Sequence, residues 1–368
     1  MRHFDFLSAD ERERLFLRAP EDFDRRAPRD QLGPALGGLL YTPAQRPGLA
    51  ESLIAKRHLG LTSVALCLED GVADADLEEA EERCVATLRQ LDEAARDGAD
   101  LPLTFVRVRS PRHLRHVGSR VSRYTAALSG FVLPKFGPRN AAAYLDEVRR
   151  LTDGDEPWWV MPVLETPELI HTETRRSTLA EVAAVIDAAG PRVLCVRVGG
   201  TDLSGLFGLR RPSDLTVYDL GVIRDCISDV VNVFGRQARG LTISAPVHEH
   251  FGTVPDDGAA WLTIPPVEQS TLVREVRLDL ANGLVGKTLI HPSQIAPVHL
   301  TSVVDEHEWL DAVSITADAG GGAARSASSR GMNEPKPHQE WARRTLRRAR
   351  AFGVRRGGPA PALAAAAR

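Results

Sequence analysis

Apolar, β-branched runs of six or seven residues recur from Leu36 to His291, each separated from the next by a longer amphipathic stretch. The runs are LGGLLY (36–41), SVALCL (63–68), LTFVRV (103–108), GFVLPK (130–135), WWVMPVL (158–164), VLCVRVG (193–199), LTISAP (241–246) and GKTLIH (286–291). Between them, DLEEAEERCVATLRQLDEAARDG sets apolar residues at helical spacing among charges and stops on Asp-Gly, and NAAAYLDEVRRLTDG follows the same rule. Strand–helix alternation predicts parallel strands with right-handed crossovers. Eight such units over roughly 250 residues point to an α/β fold, a closed (β/α)8 barrel. An open doubly wound sheet is the alternative, because periodicity does not show closure. No internal repeat is visible.

The flanks read differently. Residues 1–35 form a helical extension, in which Ser8 and Glu11 have the spacing of a capping box. The barrel is expected over 36–315. Residues 316–335, rich in Gly, Ala and Ser, read as a flexible linker, 336–355 as a C-terminal helix and 356–368 as a disordered tail. A single helix beyond a linker is not stable alone, so it is expected to dock on its own barrel or on a neighbouring subunit.

Composition narrows the class. The 368 residues are 43% hydrophobic and 26% charged with a net charge of −3, a soluble balance that does not favour nucleic acid or an anionic membrane. The locally basic WARRTLRRARAFGVRR reads as a solvated helix face. Cys67, Cys84, Cys195 and Cys226 lack metal-ligand or disulfide spacing, which fits a reducing compartment. The charged N-terminus has no signal-peptide core, and no run is long enough to span a membrane. A cytoplasmic protein is expected.

In a parallel barrel, chemistry gathers at the C-terminal ends of the strands. Those ends carry Arg46 after strand 1, Glu69-Asp70 after strand 2, Arg107 and Arg109 at strand 3, Lys135 after strand 4 and Glu165 after strand 5. Strand 6 adds Arg197 and Asp202, strand 7 leads to His248-Glu249-His250, and strand 8 ends at His291. Glu165 and Asp202, on consecutive strands, are hard oxygen donors suited to Mg²⁺, with Mn²⁺ as the alternative ion. Such a metal could chelate a 2-oxo acid or polarise a carbonyl. Arg107 would serve a substrate carboxylate or developing oxyanion. Glu69 and Asp70 could act on metal-bound water or brace Arg107, the bland reading being a turn at Asp70-Gly71. Lys135 reads as a rim charge, with a Schiff-base role as the alternative. The two histidines of the HEH pair could bind zinc, although no matching ligand set accompanies them. Arg46, Lys135, Arg197 and His291 are candidate substrate-lining residues.

These motifs resemble the citrate lyase β-subunit-like branch of the HpcH/HpaI aldolase family. LEDGV (68–72), VRVRS (106–110), VLPK (132–135), PVLETPELI (162–170), GGTDL (199–203) and GKTLIHPSQIAPVH (286–299) each match a segment of that family, in order. The resemblance implies a Mg²⁺-dependent carbon–carbon lyase on a TIM barrel, with Glu165 and Asp202 holding the metal and Arg107 steadying a metal-stabilised enolate. It implies a small carboxylate or acyl-CoA substrate and a homo-oligomer, trimer or hexamer, with the C-terminal helix covering a neighbour's site. VRVGGTDLSGLFGLRR is most similar to a sub-branch associated with tellurium-resistance gene clusters. The family's PGNRP loop, which accommodates a coenzyme A phosphate tail, is TPAQRP here, so use of a coenzyme A thioester stays open. Acyl-CoA thioester hydrolysis on the same scaffold, or a barrel that only binds a metabolite or partner, are the rival functions.

Overall fold

The computed structural model describes residues 1–56, 58–152, 158–252, 267–317, 324–326 and 331–357. Eight parallel strands overlap the eight apolar runs: β1 (Gly38–Pro43), β2 (Ser63–Cys67), β3 (Leu103–Arg107), β4 (Leu128–Leu133), β5 (Trp159–Leu164), β6 (Cys195–Val198), β7 (Thr242–Ser244) and β8 (Lys287–Leu289). Their order is β7-β6-β5-β4-β3-β2-β1-β8. A parallel bridge between Ala245 and Lys287 joins the two ends, with the Ala245 N–H donating to Gly286 O at 3.0 Å. The sheet is therefore a barrel, and the open-sheet alternative is excluded.

Helices α1 (Leu49–Ile54), α2 (Leu77–Arg96), α3 (Pro111–Val121), α4 (Ala141–Leu151), α5 (Thr172–Ala189), α6 (Gly221–Phe234) and α7 (Val267–Ala281) lie between successive strands. The strands alternate in period two between two apolar environments. Val64, Leu66, Val106, Phe131, Val160 and Val196 pack against helix residues such as Leu88, Leu114 and Val182. Leu39, Ala65, Phe105, Val132, Met161 and Cys195 belong to the separate cluster inside the barrel. Burial on both faces explains why the runs are almost continuously apolar. Pairing of β4 with β5 also demands glycine at 130, where a Cβ would stand 1.9 Å from the Trp159 carbonyl oxygen.

The N-terminal segment carries the expected capping box at Ser8–Glu11 on the helix Ala9–Leu15. It also holds a short strand, Phe16–Arg18, that pairs antiparallel with Val354–Arg355. Phe4, Phe16, Phe23 and Phe352 join the interior cluster, so the two chain ends share one core with the barrel. After α8 (Ile295–Ser302) and α9 (Glu306–Ala317), the helix α10 (Pro335–Phe352) packs on α9 and on Arg29–Ala35 of its own chain. Within the predicted linker, Ala324–Arg325 pairs antiparallel with Met332–Asn333, and the Asn333 amide donates to Asp311 Oδ1 at 2.8 Å. The expected tail beyond 357 lies outside the described residues. No described helix is long and apolar enough to cross a membrane.

Candidate active site

Glu165 leaves the end of β5 as a nearly fully buried carboxylate, 4% exposed. Its Oε1 accepts the Lys135 backbone N–H at 2.8 Å and lies 3.4 Å from Arg107 Nη2. Lys135 can aim that N–H because it adopts φ +49°, a left-handed conformation that costs on the order of 1 kcal/mol or more for a non-glycine residue. On its other side Glu165 lies against Gly199: a Cβ there would be 2.1 Å from Oε2. The first glycine of GGTDL thus makes room for the acid delivered by the preceding strand.

Arg107, at the end of β3, ties the rim together. Its Nη1 pairs with Glu69 Oε2 at 2.8 Å, its Nη2 is 3.4 Å from Asp70 Oδ2, and its guanidinium lies 5.3 Å from the Tyr41 ring centre. Lys135 Nζ pairs with Glu69 Oε1 at 2.5 Å and Asp70 Oδ1 at 3.3 Å, and stands 3.8 Å from Asp202 Oδ1. Asp202 sits in the first turn of the short helix Gly200–Gly205. Six predicted residues therefore come together, as four carboxylates around two cations.

The proton affinities follow from that imbalance. Burial, with the charges of Asp202 and Glu69, raises Glu165 to about 7 despite Arg107. Burial and the neighbouring Asp70 also raise Glu69 and Asp202. Asp70 moves the other way: burial opposes its charge, but its hydrogen bond with Glu69 and the Arg107 and Lys135 cations hold it low. Burial works against the Lys135 ammonium too, yet Glu69, Asp70 and Asp202 hold its proton above the usual lysine range. A lysine so firmly protonated is a rim charge, and the Schiff-base alternative is disfavoured.

The other candidates lie apart. Arg197 is buried one layer down in β6, where it donates to Thr288 Oγ1 at 2.7 Å and lies 5.8 Å from the same Tyr41 ring as Arg107. Arg46 is exposed after β1, and its charge, after burial, helps depress the His291 pKa. His291 stacks on Phe251 with ring centres 4.4 Å apart and caps the turn Pro292–Gln294. Arg109 turns away to bind the Leu68 and Val72 carbonyls and Asp74, pinning the loop after β2.

Among the described residues the HEH pair has no matching zinc ligands, and its two rings point apart. His248 Nδ1 faces Glu275 Oε1 at 3.4 Å, while His250 Nε2 donates to the Arg211 carbonyl at 2.9 Å. Among the described residues no group of three or more His, Cys, Asp or Glu forms a metal-ligand cluster. The rim fits a different ion. Glu165 and Asp202 are hard oxygen donors in an acid-rich site, Gly199 leaves space beside one of them, and the Lys135 ammonium stands near the other as a positive charge. That donor set suits Mg²⁺, which takes few carboxylates and keeps several waters. Tyr41 and Gly199 escaped the sequence reading; the doubled glycine before Thr201-Asp202 was the available signal for the second.

A closed parallel barrel with acids and bases at the C-terminal rim defines a TIM-barrel enzyme scaffold. Residues 30–354 match the family described as C–C bond lyase of the TIM-barrel fold, and the chain belongs to that family. No curated protein matches the sequence. Among solved structures, CitE from Mycobacterium tuberculosis in complex with magnesium, acetoacetate and coenzyme A is 23% identical, with a TM-score of 0.52 over 89% of this chain and 99% of that one. The citrate lyase β subunit from the same organism is 25% identical, with a TM-score of 0.46 over 73% and 98% of the two chains. RipC from Yersinia pestis is 16% identical, with a TM-score of 0.47 over 72% and 94%.

Proposed function

We propose that this protein cleaves or forms a carbon–carbon bond next to a carbonyl group, using Mg²⁺ held by Glu165 and Asp202. The observation that carries this reading is the excess of carboxylates over cations at the rim, beside a glycine that leaves space at Glu165. When bound, Mg²⁺ would supply the positive charge that stabilises an enolate. Arg107 would orient a substrate carboxylate or developing oxyanion, held in place by Glu69 and Glu165. Glu69, with a raised proton affinity and contacts to both cations, is the candidate for moving a proton, and Asp70 keeps Lys135 and Arg107 in position. Substrates of this reading are 2-oxo acids, β-hydroxy acids or acyl thioesters.

The cytosolic homo-oligomer belongs to the same reading. The exposed rim side chains Leu206, Phe207, Leu209 and Phe251 offer a second copy an apolar surface, and light scattering would give the subunit number.

The test is deuterium exchange into the methyl groups of pyruvate and acetyl-CoA in D₂O, followed by NMR with Mg²⁺ and with EDTA. Metal-dependent exchange that disappears in Asp202→Asn is expected. Release of free thiol from acyl-CoA, without exchange or carbon–carbon cleavage, would overturn the lyase reading in favour of thioester hydrolysis.

A further inference from the structure

A guanidinium inside a protein needs a counter-charge, because an isolated buried ion costs several kcal/mol. Arg107 has Glu69, and Arg211, also buried, pairs with Glu275. Arg197 is more buried than either, at 1% exposure, yet no carboxylate of the described residues pairs with it. Beyond its bond to Thr288, its Nε and Nη1 have no hydrogen-bond partner. Ser244, directly opposite Arg197 in the pairing of β6 with β7, has a buried hydroxyl that is likewise unpartnered. The nearby acidic groups do not supply the charge: burial raises the pKa of both the Cys195 thiol and the Tyr41 phenol, against the pull of Arg197, which also contacts the Cys195 thiol.

The position of this gap matters as much as its chemistry. Arg197 precedes by two positions Gly199, the residue just past the end of β6 that accommodates Glu165. Its guanidinium shares the Tyr41 ring with Arg107, at 5.8 and 5.3 Å. The unpaired donors thus lie one side-chain layer beneath the rim.

We infer that Arg197, Ser244 and Thr288 form a second anion subsite, and that the substrate is a short dicarboxylate whose distal carboxylate seats there while its other end reaches Arg107. A carboxylate can take one of the free guanidinium donors in a charge-assisted bond and accept the Ser244 hydroxyl as well. A monocarboxylate leaves the buried cation unpaired, so the subsite selects through the cost of that unpaired charge. This inference rests on the lyase reading for the role of the rim, but its test does not.

Binding of malonate, succinate and 2-oxoglutarate to the whole protein is compared with that of acetate and pyruvate by calorimetry in EDTA, so that no divalent metal takes part. The dicarboxylates are expected to bind at least about tenfold tighter, a difference of about 1.4 kcal/mol. Arg197→Met should erase that preference. It should also raise Tm in anion-free buffer, since it removes an uncompensated buried charge. Ser244→Ala, which leaves the cation in place, should reduce the preference several-fold and serves if Arg197→Met fails to fold. Equal binding of the two acid classes, a preference that survives in Arg197→Met, or one left undiminished in Ser244→Ala overturns the subsite. Sulfate binding as tightly as any dicarboxylate would mean an inorganic-ion site and also overturns it. Mg²⁺-dependent exchange without dicarboxylate preference would remove the subsite and leave the lyase reading standing. Arg197-dependent preference without such exchange would do the reverse.

Discussion

Two clusters of charge lie near the same end of the barrel, and they are built on opposite terms. At the rim, Glu69, Asp70, Glu165 and Asp202 surround only Arg107 and Lys135. Behind the loops after β6 and β7, a second cluster is fully buried and balanced. There Glu275 pairs with Arg211 and, at 2.9 Å, with Lys287, while Asp279 takes Lys287 at 2.8 Å and the Tyr218 hydroxyl at 2.8 Å. Glu275 also accepts the Val217 N–H at 2.6 Å, and Arg211 donates to the Val247 carbonyl at 3.1 Å, so both mouth loops hang on this knot. Burial opposes the charge on Glu275, yet Lys287, His248 and Arg211 bring its pKa down to about 2; burial raises Glu165 to about 7. An acid whose charge is satisfied at home serves the fold. An acid held in negative surplus has room for a visiting cation.

The sharpest way to break this contrast is to neutralise one acid in each cluster. Glu165→Gln is expected to lower carbon–carbon lyase or exchange activity by about a thousandfold, with Tm unchanged or raised, because the rim loses repulsion. Glu275→Gln should do the opposite, unfolding the protein about 3 kcal/mol more easily by leaving Arg211 and Lys287 without a full partner. Activity and denaturation curves on the two variants decide it. If Glu165→Gln destabilises as much as Glu275→Gln, the rim is another structural knot.

How much of this was legible beforehand depends on the range of the interaction. The strands were readable because a strand buried on both faces must be apolar throughout, and the rim acids because they interrupt those runs at their ends. The capping box at Ser8–Glu11 was readable because both partners lie within one turn. The knot was not: Glu275 sits on one face of α7 among other charges, and only the closing of β8 beside β7 brings Lys287 and His248 to it. The HEH spacing suggested ligands sharing a metal, whereas the two rings diverge toward Glu275 and the Arg211 carbonyl. The strand Phe16–Arg18 pairs with residues more than three hundred positions away, a contact that no local pattern announces.

A smaller perturbation tests the space at the rim. Gly199→Ala introduces a Cβ that would overlap Glu165 Oε2 and, at 2.4 Å, its Cβ, so the acid must shift. Mg²⁺ affinity is expected to fall about tenfold, read by calorimetry, with a loss of stability of about 1–3 kcal/mol from overpacking. Unchanged Mg²⁺ binding would separate Glu165 from the metal.

The knot has its own signature in pH. The depressed pKa of Glu275 means that its contribution is present above the unfolded value of 4.5 and is lost as pH falls toward about 2. Asp279, raised to about 6 by burial and by Glu275, has the opposite sign: its contribution is full below 3.8 and disappears as pH rises through about 6. Glu275→Gln should therefore flatten the acid limb of a Tm–pH curve, while Asp279→Asn should flatten the limb between pH 4 and 6. A wild-type acid limb retained in Glu275→Gln would place that titration elsewhere.

The mildest change is also the most discriminating at the rim. Lys135 stays charged across the neutral range, so it competes with any metal for the field of Glu69, Asp70 and Asp202. Half exposed, it exerts a screened attraction worth about 1 kcal/mol or less. Lys135→Met removes that competitor and keeps the backbone N–H that Glu165 accepts. Mg²⁺ should then bind up to about fivefold tighter at pH 7, and metal-dependent exchange should persist at a reduced rate because Glu69 has lost a positioning contact. A Schiff-base lysine would behave otherwise, with all turnover lost, Mg²⁺ affinity unchanged and borohydride with substrate no longer trapping an adduct. Tighter metal binding with surviving exchange would mark Lys135 as the charge that occupies the rim until a divalent ion arrives.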